Sequence, residues 1–199
     1  MKTKTILIAI IATTLFSINS FAQKTGTSGN CVAQGKIIID PFYGYPYFNG
    51  ALVKGLANDP GKIKSYCAGG KVEFLLSDKI GLGAEFTYAD ASMKFNVQDT
   101  LFVTRTYTAG ISKIRVIGRM NFHFATTSSI DPYFVIGAGY KKTTWYDDEP
   151  GIHSLSLNVI PVAFRVGVGL HYYFTDFMGI NAELGLGGPM MHIGLSFKF

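Results

Sequence analysis

The sequence predicts an all-β protein, an eight-stranded antiparallel up-and-down transmembrane β-barrel. Three observations support this prediction: apolar and polar residues alternate along much of the chain, 48% of the residues are hydrophobic, and the apolar runs are short. A spanning helix needs about 18 or more consecutive apolar residues, and no run reaches that length. High hydropathy without such a run is typical of strands that face lipid on one side and a polar lumen on the other.

The clearest alternation lies in the C-terminal part of the chain, between Val162 and Phe199. Every second residue of 162–174 is apolar, and the residues between them are small, charged or polar, including Arg165 and His171. A period of two places successive side chains on opposite faces of a strand. A soluble barrel would need an apolar lumen, whereas this inner face carries charge, so the pattern favours a barrel with lipid outside.

The N-terminal residues have the pattern of a secretory signal peptide. In residues 1–22, two lysines precede an apolar core that is too short to span a membrane, and small residues stand at −3 and −1 of a cleavage site before Gln23. No lipobox precedes Cys31, and a retained N-terminal anchor is the alternative interpretation. Residues 23–35 are rich in Gly, Ser and Thr and predict a flexible periplasmic leader, which leaves residues 36–199 for the barrel.

Eight predicted strands follow in residues 36–199, with short connections on one side and mostly longer ones on the other. Because their number is even, both ends of the barrel domain lie on the periplasmic side. Longer, polar connections belong outside the cell, although the fourth outer connection, Gly188–Pro189, is tight. The predicted strands are 36–48, 65–76, 80–88, 106–124, 132–145, 157–174, 177–187 and 190–199, and the longer connections, which could bind an extracellular ligand, are 49–64, 90–105 and 146–156.

Parts of the chain resemble the small eight-stranded barrels of the bacterial outer membrane, the OmpA, OmpX and OmpW type. The ending Gly-Leu-Ser-Phe-Lys-Phe is similar to their C-terminal signature, and the stretches 131–140 and 164–174 are similar to their fifth and sixth strands. The resemblance covers roughly residues 36–199. It implies a place in the bacterial outer membrane and identifies Phe197 and Phe199 as a signal for the barrel-assembly machinery. It specifies architecture and leaves activity open.

Composition agrees with a small barrel and argues against a nucleic-acid partner. The net charge of +5 falls to +3 without the two signal-peptide lysines, and the basic residues are scattered through the strands. The 16 Phe, 11 Tyr and one Trp are enough for aromatic belts at both membrane interfaces, with Trp145 expected in the upper one. The 23 Gly suit closely curved strands around a narrow lumen.

Strand parity places a set of charged residues on the lumen face. An eight-stranded barrel leaves an interior just wide enough for side chains, so we expect Arg–Glu pairs that plug it. Glu85→Ala would then leave an arginine unpaired, at a cost on the order of 3–5 kcal/mol. A gated ion path is the alternative. The residues are Lys71, Glu73, Glu85, Lys113, Arg115, Arg119, Arg165 and Glu183.

The remaining candidates for chemistry carry weaker signals. A histidine beside serines in the third outer loop fits the nucleophile and base of barrel-embedded lipid enzymes, but a polar loop explains these residues equally well. The histidines of the predicted lumen lack metal-ligand spacing. We therefore predict no catalytic, cofactor or metal site. The loop residues are His153, Ser154 and Ser156, and the lumen histidines are His123, His171 and His192.

Cys31 and Cys67 are predicted to be free thiols, unless the leader threads the lumen and brings them together. The strand assignment separates them by roughly 20–25 Å, given a rise of ~3.3 Å per residue and a ~40° strand tilt. A disulfide requires a Cα separation below about 7 Å. Pro41 lies inside the first strand, where it removes a ladder hydrogen bond, and we expect a β-bulge there.

Together these features predict a small monomeric outer-membrane barrel with a structural or surface-interaction role. The lumen charges favour a plugged interior over an open pore. A narrow conduit for small or hydrophobic solutes is the first alternative, and a lipid-modifying barrel enzyme is the second.

Overall fold

The computed structural model describes residues 29–45, 64–98, 104–124, 127–147, 155–156 and 161–199. None of these residues belongs to a helix long and apolar enough to cross a membrane. The strands are β1 (Ile37–Tyr45), β2 (Lys64–Ser77), β3 (Ile80–Gln98), β4 (Thr104–His123), β5 (Ile130–Asp147), β6 (Leu155–Ser156), β7 (Val162–Tyr173), β8 (Met178–Leu186) and β9 (Met191–Lys198).

Eight of these strands close into an antiparallel barrel. Each pairs with its sequence neighbours, β5 pairs with β7, and β9 returns to β1. The two-residue β6 is an addition to the upper end of β5. Closure pairs the backbone groups that would otherwise be exposed to lipid at a sheet edge. The prediction of an eight-stranded up-and-down barrel is confirmed.

The two faces of the barrel wall have opposite polarity. Along β7, the apolar residues Val162, Phe164, Val166, Val168, Leu170 and Tyr172 point outward and are 42% to 57% exposed. Arg165 and His171, between them, are completely buried in the interior. A soluble protein would bury the first set and expose the second. The wall therefore has the polarity of a transmembrane barrel, with an apolar outer belt around a polar interior.

Trp145 does not lie in the outer aromatic belt. It packs inside the barrel against Ala91 and Ile111, so the predicted position was wrong. The reason is strand parity. Tyr133 of the same strand points inward, and residues an even number of positions along a strand point to the same side. Exposed aromatic residues do occupy both ends of the outer wall, among them Tyr43, Tyr45, Tyr140, Phe124, Phe174 and Phe177.

The barrel wall is much taller on one side than on the other. β3, β4 and β5 have 19, 20 and 18 residues, whereas β7, β8 and β9 have 12, 9 and 8. The β3–β4 ladder continues without interruption to the pair Gln98↔Thr104. Most of the predicted outer loop 90–105 is therefore strand, which corrects that assignment. Ala91 and Met93 continue the inward alternation, which the polar residues around them obscure.

The other two predicted outer loops are only partly described. Residue Lys64 begins β2, and residues 46–63 lie outside the described part of the chain. In the predicted loop 146–156, β5 continues to Asp147, and the backbone of Leu155–Ser156 pairs with Trp145 and Thr144. His153 and Ser154 lie outside the described residues.

Pro41 interrupts one ladder without a bulge, so the predicted bulge was wrong. On the β9 side, pairing stops after Ile39↔Phe197 and resumes at Phe42↔Gly194 in the same register. On the other side, Pro41 remains paired with Gly70 of β2. The missing N–H thus weakens the β1–β9 seam locally, while β2 holds the strand in line.

The end of the leader closes the lower opening of the barrel. Cys31 and Val32 are buried with Ile38, Leu75 and Tyr173 in one apolar cluster. The Lys198 ammonium donates a hydrogen bond to the Cys31 carbonyl at 2.5 Å and lies 4.3 Å from the centroid of the Tyr173 ring. The last leader residues were expected to be flexible, but the burial of Val32 holds them against the barrel.

Both cysteines are free thiols, as predicted, and Cys31 is expected to react slowly. Burial raises the pKa of the Cys31 thiol to about 11. Because the thiolate is the reactive form, at pH 8 we expect Cys31 of folded Cys67→Ser protein to react with a disulfide reagent about 100-fold more slowly than after unfolding. The absorbance of the thiolate that the reagent releases measures the rate. Equal rates before and after unfolding would contradict the burial of Cys31.

Candidate functional site in the barrel interior

The barrel interior holds a dense cluster of charged side chains, which we call the lumen network. Each member is no more than 3% exposed. Seven of the eight residues predicted to face the lumen belong to it, whereas Lys113 is only partly buried and lies higher up. The members are Asp40, Lys71, Glu73, Glu85, Arg115, Arg119, His123, Asp131, Arg165, His171, Glu183 and His192.

Glu183 of β8 is the centre of the network. Its carboxylate accepts hydrogen bonds from Arg119 at 2.7 Å, Arg165 at 2.8 Å and the Tyr133 hydroxyl at 2.9 Å. The Lys71 ammonium lies 3.4 Å away. Both carboxylate oxygens are used, so one side chain connects β2, β4, β5 and β7 with β8. Charge-assisted bonds of this kind are about twice as strong as neutral ones.

Arg119 of β4 joins this centre to the opposite wall. Its two terminal nitrogens donate to Glu85 and Glu183, each at 2.7 Å, and its Nε donates to Asn121 at 3.2 Å. The expectation that Glu85→Ala leaves an arginine without an ion-pair partner was therefore wrong, because Arg119 would keep Glu183. The two carboxylates share one guanidinium across the lumen.

A layer of histidine and carboxylate groups lies below, toward the leader. Asp131 is 2.9 Å from Nδ1 of both His123 and His171. The Nε2 atoms of the same rings contact Glu73 at 2.9 Å and Asp40 at 3.1 Å. An ionised carboxylate only accepts hydrogen bonds, so a ring between two ionised carboxylates donates from both nitrogens, as an imidazolium does.

With both rings as imidazoliums, the contacts described above join five carboxylates to five cations, and Arg115 is a further cation of the network. Lys71 connects the two layers, since its ammonium lies 3.4 Å from both Asp40 and Glu183. The carboxylates are Asp40, Glu73, Glu85, Asp131 and Glu183, and the cations are Lys71, Arg119, His123, Arg165 and His171.

Asp40 and Asp131 were not among the residues predicted to face the lumen. Both have the inward parity of their strands: Asp40 stands between the buried Ile38 and Phe42, and Asp131 precedes the buried Tyr133 by two residues. The period of two could have found them, but each lies beside a proline, where the alternation is hard to follow. Two of the predicted lumen histidines, His123 and His171, contact these carboxylates, whereas His192 lies beside Glu183 and Arg165.

Arg165 ties the network to the upper turn between β8 and β9. Its Nη1 donates to the Pro189 carbonyl at 2.7 Å, and its Nη2 donates to Nε2 of His192 at 2.6 Å. The same guanidinium binds Glu183. The tight outer connection Gly188–Pro189 is thus held from inside the barrel.

Glycines leave the space that the long side chains occupy. A Cβ at Gly169 would collide with the ring of Tyr133, and one at Gly81 would collide with the carboxylate of Glu73. A Cβ at Gly185 would lie 3.0 Å from the guanidinium carbon of Arg165 and would collide with the Val166 carbonyl. An eight-stranded barrel has little interior room, so the lumen network requires these residues to lack a side chain.

One group within the network has the donor types of a metal site. Ligand atoms of Glu85, Glu183 and His192 lie within 4.8 Å of one another. Arg119 and Arg165 already bind the two carboxylates at 2.7 to 2.8 Å, so a divalent cation would have to displace both guanidiniums. The arrangement therefore favours ion pairing over metal binding, and its chemical effect is to fill the lumen with paired charge.

No protein-family model and no curated protein matches the sequence. Among solved structures, the chain is similar to the N-terminal β-barrel domain of Pseudomonas aeruginosa OprF, with 19% identity, 84% of this chain and 100% of that one covered, and a TM-score of 0.49. It is also similar to Ail, the attachment invasion locus protein of Yersinia pestis (14% identity, 83% and 99% covered, TM-score 0.46). A third similar structure is the outer membrane protein OprG of Pseudomonas aeruginosa (16% identity, 84% and 97% covered, TM-score 0.44).

Proposed function

We propose that the protein is a monomeric barrel of the bacterial outer membrane with a structural or surface-contact role, its lumen closed by the lumen network. One observation carries this proposal. Positive and negative side chains from opposite walls meet in the interior, as in the Glu85–Arg119–Glu183 bridge, and are almost completely removed from solvent. A barrel built for permeation would instead leave its lumen charges accessible to water.

The outer surface supports the location in a membrane. An apolar belt surrounds a polar interior, and a closed ladder satisfies the backbone, which are the two requirements for a strand protein in lipid. Phe199 exchanges two backbone hydrogen bonds with Ile37, of 2.9 and 3.1 Å, at the lower end of the β1–β9 seam. Phe197 and Phe199 thus lie where the last strand of the chain pairs with the first. This position suits a signal for the barrel-assembly machinery.

Closure follows from the energetics of the buried pairs. A permeating ion would have to separate Arg119 and Arg165 from Glu183, and each separated charge would stay buried without its partner. Breaking such a pair costs about 3–5 kcal/mol. Thermal opening would therefore be rare. The alternative, a narrow conduit, would require the network to rearrange around each solute.

Surface contact is the role that the tall side of the wall supports. The β3–β4 hairpin rises well above the ends of β7 and β8, because its ladder continues to Gln98↔Thr104. On the outside of a cell this side would be the first to meet a ligand. We assign any extracellular ligand to the predicted connections 49–64, 90–105 and 146–156. No group in the described residues favours catalysis, so we propose a non-enzymatic protein.

The experiment that tests closure is conductance across a planar lipid bilayer. Wild-type protein, folded in detergent and inserted, is expected to show no steady conductance, because the lumen network occludes the interior. Glu183→Ala removes the central carboxylate and is expected to give brief openings. Gels run with and without boiling check that both samples are folded. Stable ohmic conductance of the wild type would refute the proposal and favour the conduit.

A further inference from the structure

The seam between β1 and β9, where the first and last strands of the barrel meet, has a gap at Pro41. In an antiparallel ladder, every second pair of opposite residues exchanges two backbone hydrogen bonds. Ile37 and Phe199 are such a pair, and the register of the seam makes Pro41 and Leu195 another. Proline has no N–H, so the Leu195 carbonyl receives no backbone hydrogen bond from Pro41. A backbone acceptor in a lipid-facing wall needs a donor from elsewhere.

A side chain of the lumen supplies that donor. The amide nitrogen of Asn181, on β8, donates to the Leu195 carbonyl at 2.9 Å. Asn181 is almost completely buried and lies opposite Gly194 in the β8–β9 ladder. A Cβ at Gly194 would collide with the Pro41 carbonyl, so β1 and β9 approach this closely only because the position is a glycine. The hydrogen bond that Pro41 cannot make is thus made from inside the barrel.

Lys71 holds the Asn181 amide in this orientation. Its ammonium donates to the amide oxygen of Asn181 at 3.3 Å. An ammonium only donates hydrogen bonds, so it binds the oxygen and leaves the amide nitrogen for the Leu195 carbonyl. Lys71 belongs to β2 and Asn181 to β8, which are the strands on either side of the β1–β9 pair. Their hydrogen bond therefore crosses the seam from within the lumen.

Lys71 is in turn fixed by the lumen network. Its ammonium lies 3.4 Å from the carboxylates of both Asp40 and Glu183, and it donates to the Tyr133 hydroxyl at 3.2 Å. All of these side chains are buried. The contact between β1 and β9 at the gap thus depends on side chains that β2, β5 and β8 contribute.

We propose that Lys71 and Asn181 form a latch that keeps β1 and β9 together at the Pro41 gap, and we call this pair the seam latch. Without it, the Leu195 carbonyl is an acceptor without a donor, which favours local separation of the two strands. The seam latch couples closure of the wall to the lumen network, because a change that moves Lys71 also releases Asn181. The inference goes beyond the proposed function, since it holds whether or not the lumen conducts.

The test measures backbone amide hydrogen exchange by NMR in the full chain, folded in detergent micelles. Ile39 and Tyr43 lie on either side of the gap, and the alternation of the ladder directs their N–H groups toward β9. Asn181→Leu removes the donor of the seam latch. We expect it to accelerate exchange of these two seam amides about tenfold, because their strands separate more often. Amides of the β3–β4 ladder should keep their wild-type rates.

Pro41→Ala restores the backbone N–H that the seam lacks, so it tests whether Asn181 acts through the gap. In this background, Asn181→Leu is expected to change exchange of the two seam amides less than about threefold, because the backbone bond replaces the seam latch. Boiled and unboiled gel samples verify folding. If Asn181→Leu alone does not fold, the double variant Pro41→Ala/Asn181→Leu is expected to fold for the same reason.

The matched control is Asn121→Leu, which removes another buried lumen amide, on β4, with its hydrogen bonds to Arg119 and Glu73. It should change exchange of the two seam amides less than about threefold. The proposal is overturned by wild-type exchange in folded Asn181→Leu, or by the same acceleration in Asn121→Leu or in the Pro41→Ala background. Failure of Pro41→Ala to rescue an Asn181→Leu protein that does not fold would also overturn it.

Discussion

Replacing Glu183 with alanine is expected to lower the free energy of unfolding by about 3–5 kcal/mol. The change removes the carboxylate that binds Arg119 and Arg165 at 2.7 and 2.8 Å, and Arg165 then has no carboxylate among its hydrogen-bond partners in the described residues. The Tyr133 hydroxyl loses its acceptor in the same step. A buried cation without a counter-charge costs far more than the pair contributes, which explains the size of the effect.

Urea titration of protein folded in lipid vesicles, followed by tryptophan fluorescence, measures this loss. Glu85→Ala is the informative comparison, because Arg119 retains Glu183, and a loss of only about 1–3 kcal/mol is expected. Asp176→Ala, in an exposed turn between β7 and β8, should change little. The central position of Glu183 would be contradicted if Glu85→Ala were as costly as Glu183→Ala.

Gly169→Val is expected to prevent efficient folding of the barrel. A Cβ at this position would collide with the Tyr133 ring, which is completely buried and stacks on His171 with ring centroids 4.7 Å apart. Overpacking alone costs about 1–3 kcal/mol. Displacing the ring would also break the hydrogen bond from Tyr133 to Glu183, at about 1–3 kcal/mol for an unsatisfied buried group.

Folding is measured on gels as the fraction of unboiled protein that migrates differently from the boiled, unfolded protein. Gly118→Val is the matched control, since it adds the same side chain to a barrel strand. Gly118 points toward the lipid, and a Cβ there would meet only the Ala138 carbonyl, in ordinary contact at 3.7 Å. A folded fraction of Gly169→Val equal to that of Gly118→Val would show that the space beside Tyr133 is not limiting.

Both effects follow from one property of the interior: its side chains are buried and have little spare room. Charged groups from several strands share the lumen, and glycines such as Gly169 and Gly185 provide the room for them. Buried ion pairs add little net stability compared with apolar packing, but they penalise every arrangement that separates them. The lumen network therefore specifies a closed barrel more strongly than it stabilises one.

The sequence alone determined the class of the fold and the face on which each strand residue lies. Both follow from the period of two, which is a local property of each strand and can be recognised without knowing which strand it pairs with. It correctly put Arg165 inside and Phe164 outside, and it predicted the tight connection at Gly188–Pro189. It failed where prolines or polar residues obscured the alternation, as at Asp40 and in the upper part of β3.

Only the tertiary structure decided which charges meet. Glu183 binds Arg119 from 64 residues away, and Asp40 contacts His171 across 131 residues. Strand parity shows which side chains point inward, but it does not show which of them lie at the same height in the barrel. That height depends on the tilt and register of every strand between them. The closure of the lower opening by Val32 likewise arises only when the wall has closed, since it depends on strands that are distant in sequence but adjacent in the barrel.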